Sequence, residues 1–199
     1  MRWFGSGEDS GGERLWRAYL EADHVRFIVE ERLREAEEER AEIRKRLLGS
    51  DVVPVLRESL RAGRGSLAVL NLLREVGADR PDVVHALLPE LYECCLSINK
   101  PGIWGREVVR TLAASVALHD ELAPLVDRTL RDEVSDVFAM RALVMLLDDL
   151  DDLDDIGATA LLARWRRAVL ASPDVDVREI AEEYPVADGA DAPAAADGD

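Results

Sequence analysis

The sequence predicts an all-α chain folded as a short α-solenoid of about four helix pairs, preceded by a long charged N-terminal helix. Three observations predict it. Pro54, Pro89 and Pro124 are separated by 35 residues each time, and their neighbours repeat with them. No run alternates apolar and polar residues long enough to make a strand. Glycine and proline clusters divide the remainder into segments of helical length.

Around each proline an apolar residue stands at +2, a small one at +5 and a mostly apolar one at +6. The copies are Val53-Pro54-x-Leu56-x-x-Ser59-Leu60, Leu88-Pro89-x-Leu91-x-x-Cys94-Cys95 and Ala123-Pro124-x-Val126-x-x-Thr129-Leu130. A degenerate fourth copy carries Thr159, Leu161, Arg164 and Trp165. A period of 20 to 50 residues marks stacked units, none of which can bury its apolar face alone.

In chain order, residues 1–12 read as a disordered leader rich in Gly, Ser and acid, in which Trp3 and Phe4 are a candidate docking peptide. Residues 13–48 then read as a long amphipathic helix starting near residue 12. Its apolar positions step by 4 and 3 through Leu15, Tyr19, Ala22, Val29, Leu33, Ala36, Ile43 and Leu47, with Arg26 and Arg40 interrupting. That spacing suits either a coiled-coil seam, hence a homodimer through residues 13–48, or a solvated helix capping the first repeat. Gly49-Ser50 ends it, with Ser50 or Asp51 placed to cap the next helix.

Residues 51–185 read as the repeats. First members of the pairs fall at about 51–62, 81–98, 119–131 and 155–171; second members at about 66–77, 104–118, 135–150 and 175–184. Pro54 sits in a first turn, where a missing N–H costs little, whereas Pro89 lies further in and should kink its helix. Trp16, Trp104 and Trp165 fall on apolar faces and read as core. Residues 186–199 read as a disordered acidic tail.

The second helices share a mark: Leu73-Arg74-x-x-Gly77, Val109-Arg110-x-x-Ala113, Met140-Arg141-x-x-Val144 and Val177-Arg178-x-x-Ala181. The chain thereby resembles the HEAT-like (armadillo-type) helical-repeat family, in which a proline-kinked helix pairs with one bearing a V-R-x-x-A motif. It is a divergent example, because Ala68, Trp104, Ser135 and Ser172 stand where that family usually places an aspartate. The resemblance implies a non-catalytic adaptor or scaffold that binds a protein or peptide on its second helices. By the same resemblance the candidate contacts are Asn71, Arg74, Arg106, Arg110 and Arg141. Internal salt bridging is the rival use of Arg74, Arg110 and Arg141, which occupy the repeated position.

Charge narrows the partners. The chain has 41 acidic and 25 basic residues, and only Lys45 and Lys100 are lysine. Residues 1–100 carry 16 basic and 19 acidic side chains; residues 101–199 carry 9 and 22. The second half repels nucleic acid, so none is expected as a partner. The acid excess fits a halophilic adaptation, and the arginine bias alone also fits a high-GC genome. Arg57, Arg61 and Arg64 share a helical stripe that reads as a solvated edge or as partners of Glu58 and its neighbours.

Cys94 and Cys95 cannot form a mutual disulfide without a strained ring and read as reduced core residues. The absence of a membrane-length apolar run and of a signal-peptide pattern points to a cytoplasmic protein without a membrane partner.

One segment carries candidate chemistry. Leu147 to Ile156 holds three aspartate pairs, and Asp148-Asp149-x-x-Asp152 matches the DDxxD pattern of isoprenoid synthases, where carboxylates hold magnesium. Asp148, Asp149 and Asp152 are thus the candidate metal ligands, for Mg or Ca. A metal-dependent enzyme using Asp148 to Asp155 is the alternative function, with a HEAT-like DNA-repair glycosylase behind it. Acids at a helix C-terminus oppose the macrodipole, so the segment is expected to leave the helix as a loop, Asp154 or Asp155 capping the next.

Overall fold

A computed structural model describes residues 11–153 and 156–184. The leader with Trp3 and Phe4, the capping pair Asp154 and Asp155, and the acidic tail lie outside the described residues. All regular structure among the described residues is helical: ten helices, no strand. The chain divides into two compact units at Val52/Val53.

The first unit contains α1 (Gly11–Leu48), 38 residues with none buried. Its surface is tied by ion pairs one turn apart, Arg26 to Asp23 at 3.0 Å and to Glu30 at 3.4 Å, and Arg34 to Glu38 at 4.0 Å. Lys45 and Arg46 complement the negative end of the helix. Ser50 serves this helix rather than the next, its hydroxyl donating to the Leu47 carbonyl at 2.6 Å. Trp16 is exposed and stacks on Tyr19 at 5.6 Å, so it is not the core residue its apolar stripe suggests.

The second unit holds α2 (Val53–Arg61), α3 (Ser66–Val76), α4 (Pro81–Ala86), α5 (Leu88–Cys95), α6 (Lys100–Ala113), α7 (His119–Asp132), α8 (Val137–Asp151), α9 (Ile156–Leu170) and α10 (Val175–Glu183). Prolines set several starts: Pro81, Pro89 and Pro101 each fall in the first two positions of a helix, where no N–H is needed. Aspartates set others. Asp136 accepts from the amides of Phe138 and Ala139, and Asp174 from that of Asp176. Gly65, at φ 79°, takes the left-handed turn before α3.

Three elements depart from the sequence reading. The expected helix over 81–98 is two helices broken at Leu87, because Pro89 has no N–H for the ladder and begins α5 instead of bending α4. The helix expected from 104 begins at Lys100. Finally, α8 does not end ahead of the aspartates but runs through Asp148 and Asp149 to Asp151. Burial of Leu146, Leu147 and Leu150 holds that last turn on the core against the unfavourable dipole.

The helices pack in succession. Among second members, α3 touches α6, α6 touches α8, and α8 touches α10; among first members, α2 touches α5 and α7 touches α9. The core between them is aliphatic, built on Leu70, Leu73, Leu91, Leu112, Leu122, Met140 and Leu143, with Trp165 wholly buried in α9. Each such side chain contributes roughly 1.5–3 kcal/mol. Cys95 is buried and Cys94 half-buried, both as free thiols. No helix among the described residues is long and apolar enough to cross a membrane.

The tightest approach is at the start of α6. A Cβ on Gly102 would overlap the Ser97 carbonyl, and one on Gly105 would come 3.2 Å from the Cys95 sulfur. Gly102→Ala is expected to destabilise the fold by about 1–3 kcal/mol, whereas Gly11→Ala, which meets nothing, is expected to leave the urea midpoint within error. Equal midpoints for the two variants would show that the α5–α6 turn can move aside.

Candidate functional site

Four of the eight sequence-predicted site residues, Arg106, Arg110, Asp148 and Asp149, line one groove of about 400 Å³ between α6 and α8. From α6 come Ile103, Arg106, Glu107 and Arg110, one stripe at i, i+3, i+4 and i+7. From α8 come Met145, Asp148 and Asp149, and Tyr184 follows α10. Tyr184 is held edge-on against the buried Trp165 ring, centroids 6.3 Å apart. Ile103 is half-exposed although aliphatic, so the groove offers apolar surface beside charge.

Arg106 is the buried cation, 5% exposed. Its Nη1 donates to the carbonyls of Cys95, at 3.3 Å, and Ser97, at 3.5 Å, groups at the end of α5 that lack helical partners. Its Nε lies 3.7 Å from Asp149 Oδ2, and Arg110 Nη1 lies 4.0 Å from Asp149 Oδ1. Asp149 therefore sits between two guanidinium groups. Burial still outweighs their attraction and holds its carboxyl above the usual aspartate range. Asp148 is raised too, by burial first and then by the charges of Asp152, Asp149 and Asp151.

The repeated arginines form a ladder. Arg74 of α3 pairs with Glu107 of α6, Arg110 of α6 with Asp149 of α8, and Arg141 of α8 with Glu183 of α10 at 3.0 Å. Three of the four arginines of the shared mark thus reach an acid at the next second helix. Arg178, the fourth, donates to the Ser172 carbonyl at 2.7 Å. Half-exposed pairs of this kind are worth about 0–1 kcal/mol each, so the ladder fixes register more than it adds stability. Arg74 also lies over the Trp104 ring at 4.8 Å, with Lys100 at 4.2 Å, and Trp104 is half-exposed rather than core.

The first helices carry their own pairs. Arg57 and Arg61 reach Glu90, not Glu58; Arg128 reaches Glu93; and Arg164 donates to Asp127 at 2.7 Å. Glu90 is a nearly buried carboxylate and takes the Arg61 bond at 2.6 Å. A hollow of about 440 Å³ lies there, lined by Arg61, Glu90, Glu93, Cys94 and Arg128 among others. Its charges are paired with one another. The Cys94 thiol is pushed up by burial and by both glutamates, the reverse of an activated cysteine.

The groove brings together Arg106, Arg110, Asp148 and Asp149. It leaves out Asn71, which donates to Glu75 at 3.0 Å, as well as Arg74, Arg141 and Asp152. Ile103, Glu107, Met145 and Tyr184 were not legible as site residues, although Ile103, Arg106 and Arg110 at i, i+3 and i+7 already mark one helical face. Among the described residues no three carboxylates, histidines or cysteines gather to hold a metal ion; Asp149 faces two arginines, and Asp148 and Asp152 stand with it but do not converge. No family model matches the chain, and no curated protein or solved structure matches it.

The raised Asp148 carboxyl has a signed consequence. A carboxyl with a folded pKa above its unfolded one makes stability fall as pH rises through the interval between them. Asp148→Asn removes that cost, so its melting temperature should exceed wild type at pH 7, the gain shrinking as pH falls into the ordinary aspartate range. A variant less stable than wild type at pH 7 would mean that the Asp148 charge has a favourable partner.

Proposed function

We propose that the chain is a non-catalytic adaptor that binds a protein or peptide segment on the face of its second helices, stacked as a HEAT-like solenoid. The observation that carries the reading is the groove itself: apolar Ile103, Met145 and Tyr184 beside the carboxylate of Asp148, which forms no ion pair among the described residues. Its volume is in the range that takes one large side chain or a short peptide stretch. The succession α3, α6, α8, α10 supports the array, and the arginine ladder supports a common register along it.

The chemistry of the groove selects the segment. An apolar anchor is accommodated by Ile103, Met145 and Tyr184, and a basic neighbour by Asp148. The net charge of −16 draws a basic partner and repels an acidic one. Arg106 has little surface left to offer, being spent on the α5 carbonyls and Asp149. It positions the groove wall rather than touching a partner.

Affinity capture from the native cell lysate, quantified by mass spectrometry, tests the reading. Wild type and Val55→Glu, a change on an exposed face of α2, should retain a stoichiometric partner, whereas Ile103→Glu and Asp148→Arg should lose at least about nine-tenths of it, a cost of roughly 1.4 kcal/mol or more. Equal retention by all four proteins, or no stoichiometric partner for wild type, would contradict it.

A further inference from the structure

The geometry points to a second interaction surface, independent of the groove: α1 pairs with α1 of another copy of the chain as a parallel, in-register, two-stranded coiled coil. The helix carries an exposed apolar stripe. Leu15, Tyr19, Val29, Leu33 and Ile43 are each more than half exposed, and no residue of α1 is buried. The stripe from Leu15 to Leu47 is about 48 Å long at 1.5 Å per residue. Single exposed apolar residues are ordinary; five heptads of them on one helical seam are the pattern a partner helix covers.

Heptad positions identify the partner. With Leu15, Ala22, Val29, Ala36 and Ile43 at d, the a positions are Tyr19, Arg26, Leu33, Arg40 and Leu47. The flanking g and e positions then include Arg32 and Glu39 at g, and Glu37 and Arg44 at e. In a parallel in-register pair the g residue of one helix meets the e residue five positions on in its partner. Arg32 therefore meets the partner's Glu37, and Glu39 meets the partner's Arg44. Both contacts are attractive and each occurs twice.

The antiparallel pair of the same length reverses that balance. Its e–e contacts set Asp23 against the partner's Glu37 and Glu30 against the partner's Glu30; its g–g contacts set Arg32 against the partner's Arg32. Arg26 and Arg40 face their own copies in the parallel form, a cost in stability that fixes its register. Each polar layer is tolerated beside its own kind with acids nearby, Arg26 holding Asp23 at 3.0 Å and Glu30 at 3.4 Å within its own helix. A slip of one heptad would bury each guanidinium against Tyr19 or a leucine.

The full-length chain tests the pairing. Sedimentation equilibrium at concentrations on the order of a hundred micromolar should return the mass of two chains and shift toward one on dilution. Arg32→Glu and Glu37→Arg should each raise the dimer dissociation constant roughly tenfold, and the double variant should restore it. In a Cys94→Ser background, Leu15→Cys should form a disulfide with itself on mild oxidation, as should Leu47→Cys. A single-chain mass throughout, charge variants without effect, or a disulfide forming only when the two cysteine variants are mixed would each overturn the proposal. The groove reading does not depend on the result, because the same variants leave α6 and α8 untouched.

Discussion

The second unit depends on a single buried cation. Arg106 has almost no contact with water, and a guanidinium in that position must find acceptors or unfold its surroundings. It finds them on two neighbouring helices: the carbonyls of Cys95 and Ser97 at the end of α5, and the carboxylate of Asp149 on α8. α6, which carries Arg106, also touches α3 and α4, so most of the first half of the unit is assembled around one helix. Gly102 makes this possible by letting the α5–α6 turn close to within a distance that a Cβ would forbid, and Gly105 by leaving room for the Cys95 sulfur.

The groove is a by-product of the same contact. Arg106 draws Asp149 inward, and the next residue back, Asp148, is left at the rim beside Met145 with like charges around it. Burial keeps both carboxyls above their usual range even though two arginines flank Asp149, so desolvation is the larger effect here and pairing the smaller. A site arranged in this way suits recognition of an apolar and basic segment. It gives Asp149 to arginines instead of to a metal ion.

Much of the helical framework was legible in the 35-residue period and its punctuation. Pro54 falls in a first turn as its position implied, because proline geometry is local, whereas the caps Asp136 and Asp174 were not singled out. What failed to be legible depended on contacts distant in sequence. Pro89 ends one helix and starts another where its neighbours Leu87 and Leu88 are both buried, a contact the local pattern does not show. The aspartates stay helical because Leu150 is anchored in the core. Trp16 and Trp165 occupy similar apolar stripes, yet one is exposed and the other sealed, since periodicity records a face but not what covers it. Arg106 read as a residue for a partner because it stands outside the repeat; the burial that turns it inward depends on the close approach that Gly102 and Gly105, both in α6, allow to the end of α5.

Arg106 holds α5, α6 and α8 together, and urea unfolding of Arg106→Ala is the measurement that bears on this. A loss of about 2–4 kcal/mol is expected, from two orphaned carbonyls and a carboxylate deprived of its closest cation, in a transition that remains cooperative. An Arg106→Ala midpoint equal to wild type would contradict it, and would place the joining of these helices in their aliphatic contacts alone.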